Sequence, residues 1–217
     1  MKKIVILMLI IISLIQFYGC NNSFYAQITN NISELQEQYF YFENNDYAIS
    51  LISGKRENDY CLDGKSGNLK DYCVLMIEQT NFKQLNSIKI FIDEKEFNAT
   101  PLLNPYNNNY VYDFEINLLS TNNIKVELFE NLFKLENKTV NFKLSALNSL
   151  KLTIKQNKKY IISLFKNNIF NGEVFIRIIK IKGYNLFVYQ ILFVDENHNT
   201  MQYLINPITK KILHQTY

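Results

Sequence analysis

The sequence predicts a mainly β protein with an α+β part near its carboxy-terminal end. Short segments in which apolar and polar residues alternate recur from residue 71 to residue 128, as in strands that are buried on one face. Clusters of Asn, Gly and Pro separate these segments. A single segment with apolar residues at helical spacing follows, and three more strand-like segments come after it. Hydrophobic residues make up 47% of the 217 residues, which is enough to build a packed core.

The first half of the chain is predicted to form a β-sandwich. Near its beginning the sequence fits two structures: a short helix, because Ser33 and Gln36 have the spacing of a capping box, or a hairpin that turns at Asn44-Asn45. The strands expected after this region are residues 71–77, 87–92, 110–116, 124–128 and 141–144. Several short strands at this spacing are typical of an immunoglobulin-like sandwich, which we assign to residues 39–147.

The remaining residues, 148–217, are predicted to form a small α+β domain, in which one helix packs on an antiparallel sheet. The helix is expected to begin near Thr153, because Thr153 and Gln156 can form a capping box, and to end at Asn171-Gly172. Its apolar residues recur at helical spacing, at Ile161, Leu164, Phe165 and Ile169. The strands expected after it are residues 173–181, 185–195 and 200–206, followed by a short piece at 211–214.

The segment from Leu186 to Leu213 carries a family resemblance. It contains Phe187-Val188-Tyr189, then a run of apolar residues up to Asp195, and it closes with Asn206-Pro207-Ile208-Thr209-Lys210-Lys211-Ile212-Leu213. This stretch resembles the PepSY-type modules of exported bacterial proteins. The resemblance implies a cystatin-like helix-on-sheet form for residues 148–217. It also implies an inhibitory or regulatory binding role without catalytic residues.

The amino terminus has the layout of a secretory signal. Lys2-Lys3 precedes an apolar run over residues 4–15, which is shorter than the roughly 20 residues needed to span a bilayer. Gly19-Cys20 follows and resembles the lipobox of bacterial lipoproteins. The resemblance implies removal of residues 1–19, lipidation of Cys20, and a body at the extracytoplasmic face of the cell membrane, with residues 20–38 as a tether. Signal cleavage without lipidation and an uncleaved amino-terminal anchor are the alternatives.

The whole body also resembles uncharacterised lipoproteins of low-GC bacteria. The shared features are a Ser-Gly-Lys-Arg-Glu segment at residues 53–57 and an Asp-Gly-x-Ser turn at residues 63–66. No activity follows from this resemblance.

The chain is close to neutral. Its net charge is +3 at pH 7, and without residues 1–19, which carry two lysines and no acid, the net charge is +1. Nucleic-acid binding needs a concentrated basic surface, so we expect no nucleic-acid partner. The low net charge likewise predicts no polybasic patch toward a membrane.

Two cysteines are left when Cys20 carries lipid. Cys61 and Cys73 flank a turn-rich stretch, residues 63–68, between two strand-like segments. In an exported protein such a pair can form a disulfide when the strand register brings the two side chains together. Two buried free thiols are the other interpretation.

Aromatic residues are clustered at residues 39–42 and again at Tyr106, Tyr110 and Tyr112. Exposed clusters of tyrosine would indicate a protein- or sugar-binding surface, because tyrosine is favoured at interfaces. Alternating aromatic residues of this kind also occur as core residues and cross-strand pairs.

No pattern of catalytic or metal-binding residues is present in the sequence. The two histidines, His198 and His214, have no other ligand residues at suitable spacing, and nucleophile-elbow, zinc-protease and phosphate-loop motifs are absent. We therefore expect no metal, no cofactor and no catalytic residues. The favoured function is a non-enzymatic binding or regulatory module for another envelope protein. The alternatives are an envelope hydrolase whose carboxylates are brought together only by folding and a structural surface protein.

Overall fold

The described part of the protein is mostly β, and its longest helix has 16 residues. The computed structural model describes residues 24–58, 65–116, 118, 121 and 123–216. The predicted class, mainly β with an α+β element, is confirmed.

The elements fall on either side of the long helix. A short helical segment, α1 (residues 24–29), comes first. The strands that follow are β1 (Ile32–Glu43), β2 (Tyr47–Glu57), β3 (Leu69–Gln79), β4 (Ile88–Ile92), β5 (Lys95–Ala99), β6 (Leu102–Asn104), β7 (Asn109–Phe114), β8 (Ile124–Leu128) and β9 (Asn131–Asn137). The later elements are α2 (Ala146–Ile161), a 3₁₀ turn (Ile162–Leu164), β10 (Phe165–Lys166), β11 (Ile169–Phe170), β12 (Gly172–Lys180), β13 (Phe187–Asp195), β14 (Thr200–Asn206) and β15 (Lys211–Thr216).

Thirteen of the described strands form one branched sheet. Its main path runs β15-β14-β13-β12-β1-β2-β3-β7-β6. On the branch, β9 pairs with both β1 and β8, β8 pairs with β4, and β4 pairs with β5. The neighbours are antiparallel except β1 and β12, which are parallel. The small strands β10 and β11 pair only with each other.

The hairpin predicted at Asn44-Asn45 is confirmed. The side-chain oxygen of Asn44 accepts hydrogen bonds from the backbone N–H groups of Asp46, at 2.9 Å, and Tyr47, at 2.8 Å. This Asx turn reverses the chain between β1 and β2. The alternative of a helix over residues 33–39 is wrong, because these residues belong to β1.

Residues 24–38, which belong to the tether expected over residues 20–38, are part of the folded body. Residues 24–29 are helical, and β1 begins at Ile32. Ile28, Ile32 and Leu35 are buried in a hydrophobic core, and burial of apolar side chains holds this segment against the body. The rest of the predicted tether and the predicted signal segment lie outside the described residues.

The sheet forks along β1, and this fork creates two cores. Leu35 pairs with Ile176 of β12, whereas Tyr41, beyond an irregularity between Gln36 and Gln38, pairs with Glu136 of β9. The first core lies between α2 and β1 with β12, β13 and β14. The second core lies between β1, β2, β3 and β7 on one side and β4, β8 and β9 on the other.

The predicted division into residues 39–147 and 148–217 stays a prediction. β1 (Ile32–Glu43) begins in the predicted tether and ends in the first predicted domain, whereas β12 lies in the second predicted domain. The ladder between these two strands joins both parts of the chain in one sheet.

The long helix begins at Ala146, about two turns before the predicted start near Thr153. Ser145 is the N-cap, and its hydroxyl oxygen accepts the N–H of Asn148 at 3.3 Å. Thr153 lies inside the helix and donates its hydroxyl to the carbonyl oxygen of Ser149 at 2.9 Å. A capping-box spacing inside the helix therefore misled the prediction.

The predicted end of the helix is also wrong, because residues 165–170 form the β10–β11 hairpin. Asn167 and Asn168 both have positive φ, 52° and 64°, which suits a two-residue hairpin turn of the I′ type. The strand predicted at 141–144 is absent too. The amides of Lys143 and Leu144 instead both donate to the carbonyl of Pro207, at 3.0 and 3.1 Å.

Candidate functional site

A cleft of about 600 Å³ lies beside the fork in the sheet. Its floor is one face of β1, β2 and β3, and its wall is the last half of β12 with the turn that follows. We call it the tyrosine cleft. Its lining residues are Gln36, Tyr39, Tyr41, Glu43, Ala48, Ser50, Ile52, Met76, Glu78, Arg177, Ile178, Ile179, Lys180, Lys182 and Gly183.

The floor of the tyrosine cleft exists because successive side chains of a strand point to opposite faces. Phe40 is buried in the second core, so its neighbours Tyr39 and Tyr41 face the cleft. Their rings pack against the ring of Phe187 in β13, with centroid distances of 5.2 and 5.5 Å. Ser50 of β2 pairs with Tyr41 across the ladder and continues the floor. The floor is thus preformed and aromatic on one side.

The wall of the cleft is a strand edge. β13 pairs with the whole length of β12, from Gly172 to Lys180. On the other edge β1 pairs only with Val174, Phe175 and Ile176. No strand of the described part pairs with that edge of residues 177–180. The N–H of Ile178 donates to the side-chain oxygen of Gln36 at 2.7 Å, so a side chain takes the place of a strand there.

Lys180 connects the wall to the floor. Its ammonium group forms an ion pair with Glu43, donates to the hydroxyl of Tyr41 at 3.0 Å, and lies 4.6 Å from the centre of the same ring. Partial burial alone would lower the pKa of Lys180, but the hydrogen bonds to Glu43 and Tyr41 outweigh it and raise the pKa. The hydrogen bond from Lys180 lowers the pKa of Glu43. Both groups are therefore charged at neutral pH.

The two tyrosines of the floor are neutral at physiological pH. Burial raises the pKa of Tyr39, and a hydrogen bond with Ser50 opposes this only in part. Burial likewise raises the pKa of Tyr41, against the opposing effect of Lys180. The floor thus offers hydroxyl groups that can donate or accept hydrogen bonds.

A buried carboxylate contacts two residues of the cleft lining, Gln36 and Arg177. Glu34 is only 5% exposed. It accepts hydrogen bonds from Nε of Arg177 at 2.7 Å, from the hydroxyl of Tyr72 at 2.6 Å, and from the side chain of Gln36 at 2.8 Å. These bonds join β1, β3 and β12, so they fix the position of the wall relative to the floor.

Gly54 permits the irregularity of β1 at this point. A Cβ atom at Gly54 would lie 2.0 Å from the carbonyl oxygen of Leu35 and 2.9 Å from Cα of Gln36. Only glycine leaves room for this close approach of two backbones. The position belongs to the Ser-Gly-Lys-Arg-Glu segment noted in the sequence.

The cysteines and histidines singled out in the sequence do not form a common site in the described part of the structure. Cys20 and Cys61 lie outside the described residues, so lipidation and the disulfide stay predictions. Cys73 is a fully buried thiol without a disulfide in the described part. Burial, with a smaller effect of Asp113, raises the pKa of its thiol. His198 and His214 are both exposed.

The aromatic clusters divide between site and core. Tyr39 and Tyr41 line the cleft and also belong to the first core, with 7% and 9% of their surface exposed. Tyr110 is buried in the second core and accepts the N–H of Leu85 at 3.0 Å. Tyr106 is 96% exposed in the turn between β6 and β7. Sequence reasoning found the two tyrosines of the cleft but missed Lys180. Its contacts with Glu43 and Tyr41 join residues more than 130 positions apart, and no local pattern signals such a contact.

Metal-binding clusters and membrane-spanning helices are both absent from the described ranges. No group of three or more His, Cys, Asp or Glu side chains there is placed to hold a metal ion. None of the helices described is both long enough and apolar enough to cross a bilayer.

Comparison with known proteins gives no relative for this chain: no family model, no curated protein and no solved structure matches it.

Proposed function

We propose that this protein is a lipid-anchored bacterial lipoprotein of the cell envelope that binds an extended segment of another envelope protein in the tyrosine cleft. The anchor is Cys20, at the extracytoplasmic face of the membrane. The cationic start, the apolar run and Gly19-Cys20 support the anchor. Two acyl chains would hold the body stably, because each buried CH₂ contributes about 0.8 kcal/mol.

The observation that carries the binding function is the edge of β12 in the wall of the cleft. Backbone N–H and C=O groups along a strand edge pair best with another extended backbone. Four residues, Arg177 to Lys180, form this edge. The N–H of Ile178 already donates to the side chain of Gln36, so in this proposal the backbone of the partner displaces that side chain. At about 3.3 Å per residue they cover roughly 13 Å. A short extended segment of a partner fits such a length.

The floor of the cleft supplies selectivity in this proposal. Alternate side chains of an added strand would point down between Tyr41, Ser50 and Met76. Tyrosine provides large contact area at low entropic loss. The ion pair of Lys180 with Glu43 lies at the rim, where charges steer association and register more than affinity.

The finer fold assignment belongs to the same proposal. We assign the layers around the second core to an immunoglobulin-like sandwich, and α2 with β12 to β15 to a PepSY-like module. The packing of α2 on an antiparallel sheet supports the second assignment. A regulatory binding role is what the PepSY resemblance implies.

Crosslinking in cells tests the binding function. A photo-crosslinking residue replaces Lys182, which is exposed at the rim of the cleft, or Lys95 on β5 as a distant control. Ala48→Trp fills the floor, and Ala48→Ser is the matched control that leaves it open. We expect an adduct from position 182 with one short segment of one envelope protein, present in Ala48→Ser and lost in Ala48→Trp.

Two results would contradict the proposal. One is the absence of any adduct from position 182. The other is an adduct that persists unchanged in Ala48→Trp, which would place the partner outside the cleft. Thermal melts of both Ala48 variants establish that each one is folded.

One observation bears on the hydrolase alternative, because Glu43 and Glu78 both line the cleft. They lie on β1 and β3, two strand spacings or about 10 Å apart at the backbone. A glycosidase-type mechanism needs one carboxyl group with a raised pKa as proton donor. The hydrogen bond from Lys180 lowers the pKa of Glu43, so Glu43 does not suit that role. Glu43 would suit only the ionised carboxylate of such a pair. The proposal of binding therefore rests on the strand edge of β12 and not on the exclusion of a hydrolase.

A further inference from the structure

The outward face of α2 carries most of the positive charge of this region. Between Glu136 and Glu173 the chain has seven lysines and no Asp or Glu, although the whole chain is only +3. The positive charge is thus concentrated in one segment and is offset by acids elsewhere. The prediction from net charge that no basic patch exists therefore fails at this helix.

The fold places these lysines on one surface. α2 buries the residues that face the first core, Ala146, Ser149, Leu150, Thr153, Ile154, Asn157 and Ile161. The side away from this core exposes Lys151 and Lys155, which lie about one turn apart. It also exposes Lys158 and Lys159, which follow a kink at Asn157, where the backbone is not helical (φ −121°, ψ 20°). We call these four residues the lysine face.

Apolar side chains extend the lysine face at both ends. Leu147, one turn before Lys151, is 42% exposed, and Ile162, after Lys159, is 53% exposed. Ile169 in the neighbouring β10–β11 hairpin is 66% exposed. Lysines flanked by exposed apolar residues are the composition of helices that lie on an anionic membrane surface.

The amino-terminal end of the described chain lies at the same place. The ring of Phe24 stacks on Phe165 with a centroid distance of 4.4 Å, and the ammonium group of Lys158 lies 5.1 Å from the centre of the Phe24 ring. Gln27 donates to the carbonyl of Asn168 at 3.2 Å and so holds α1 to the hairpin. Cys20 is four residues before Phe24, a distance of at most about 14 Å along an extended chain.

We infer that the lysine face docks on anionic lipid headgroups beside the anchor, which makes the bilayer surface itself a second partner of this protein. The inference rests on the proposed anchor at Cys20, since a lipid there would hold the end of α2 within reach of the membrane. Each lysine near an anionic surface strengthens binding by roughly fivefold. Docking of this kind fixes the orientation of the body, and the tyrosine cleft with it.

Lysine labelling of the lipidated protein tests the inference. The protein is reconstituted in vesicles of equal parts phosphatidylglycerol and phosphatidylcholine or of phosphatidylcholine alone, and an amine-reactive ester is applied briefly. Mass spectrometry gives the labelling rate of each lysine. Lys95 and Lys134, exposed on β5 and β9, are the matched controls.

We expect the lysine face to be labelled at least threefold more slowly on the phosphatidylglycerol vesicles. The protection should disappear in 0.5 M salt, because at that concentration the Debye length, beyond which charges are screened, lies between roughly 3 and 10 Å. The labelling rates of the two control lysines should not change. Equal rates on the two kinds of vesicle would overturn the inference. If those equal rates were also lower than the rates of the control lysines, they would indicate that a protein surface rather than a lipid surface covers the lysine face.

Intact mass of the same sample separates this inference from the proposed function. When the lipid mass is present and the rates are equal, only the docking is wrong. When no lipid is attached, the anchor is wrong and the docking falls with it.

Discussion

Replacement of Arg177 with Met is expected to lower the free energy of unfolding by about 3 kcal/mol. Arg177 bonds through Nε to the carboxylate of Glu34 at 2.7 Å. Glu34 is 5% exposed, so its charge stays buried when the guanidinium is removed. Loss of one partner from a buried ion pair is destabilising by about 3 to 5 kcal/mol. The Arg177 side chain is itself 25% exposed, and we therefore take the lower end of that range.

Thermal unfolding followed by circular dichroism measures this effect. For a protein of this size, 1 kcal/mol shifts the Tm by about 2 to 4 °C, so Arg177→Met should lower it by about 6 to 12 °C. Lys89→Met is the matched control, because the ion pair of Lys89 with Glu127 is on the surface and such pairs contribute little. The double variant Glu34→Gln with Arg177→Met should recover part of the loss, since both charges are then gone.

A small effect of Arg177→Met would contradict this reasoning. If Arg177→Met lowers the Tm no more than Lys89→Met does, the Glu34–Arg177 pair does not hold β12 against β1. The parallel ladder at the fork would then lack its main polar contact, and the geometry of the tyrosine cleft would need another explanation.

Three further predictions concern the same region. Gly54→Ala should lower the urea midpoint strongly, because the new Cβ would lie 2.0 Å from the carbonyl oxygen of Leu35; an unchanged midpoint would refute the close approach. Cys73 should react with iodoacetamide only after unfolding, as read by peptide mass, because it is fully buried and burial raises the pKa of its thiol; labelling of Cys73 itself in the native protein would contradict this. Glu43→Gln should destabilise at neutral pH, and the difference from the unaltered protein should disappear in acid, because the hydrogen bond from Lys180 lowers the pKa of Glu43 from 4.5. Its contribution is present above that value and is lost as pH falls through the lowered pKa, so urea titrations at several pH values should show the two proteins converging.

Much of the strand content could be predicted because its signals are local. β8 has alternating burial over residues 124–128, and its predicted bounds are confirmed. β12, β13 and β14 begin and end within two residues of their predicted positions. The Asn44 turn carries its own signal, since a side-chain oxygen that caps two amides needs only neighbouring residues.

The helix and the missed strands show where local signals mislead. Thr153 and Gln156 have capping-box spacing, yet Thr153 bonds inside the helix, and the true cap at Ser145 has no acidic residue after it in the first turn. β9 exposes most of its side chains, so its residues show no clear alternation. Tertiary pairing with β1 and β8 decides its conformation.

Little of the candidate site could be predicted from the sequence. The tyrosines at positions 39 and 41 are visible in the sequence as an aromatic cluster, but the wall of the cleft comes from β12, more than 130 residues later. A parallel pairing between such distant strands depends on the path of the chain between them. Lys180 and Arg177 gain their roles only through that pairing.

The most direct test of the central claim is the intact mass of the protein extracted from membranes, compared with a Cys20→Ala variant. We predict a chain that begins at Cys20 and carries the added mass of a lipid, with both features absent from the variant. A chain that is uncut, or cut without lipid, would contradict the claim of a membrane-anchored lipoprotein.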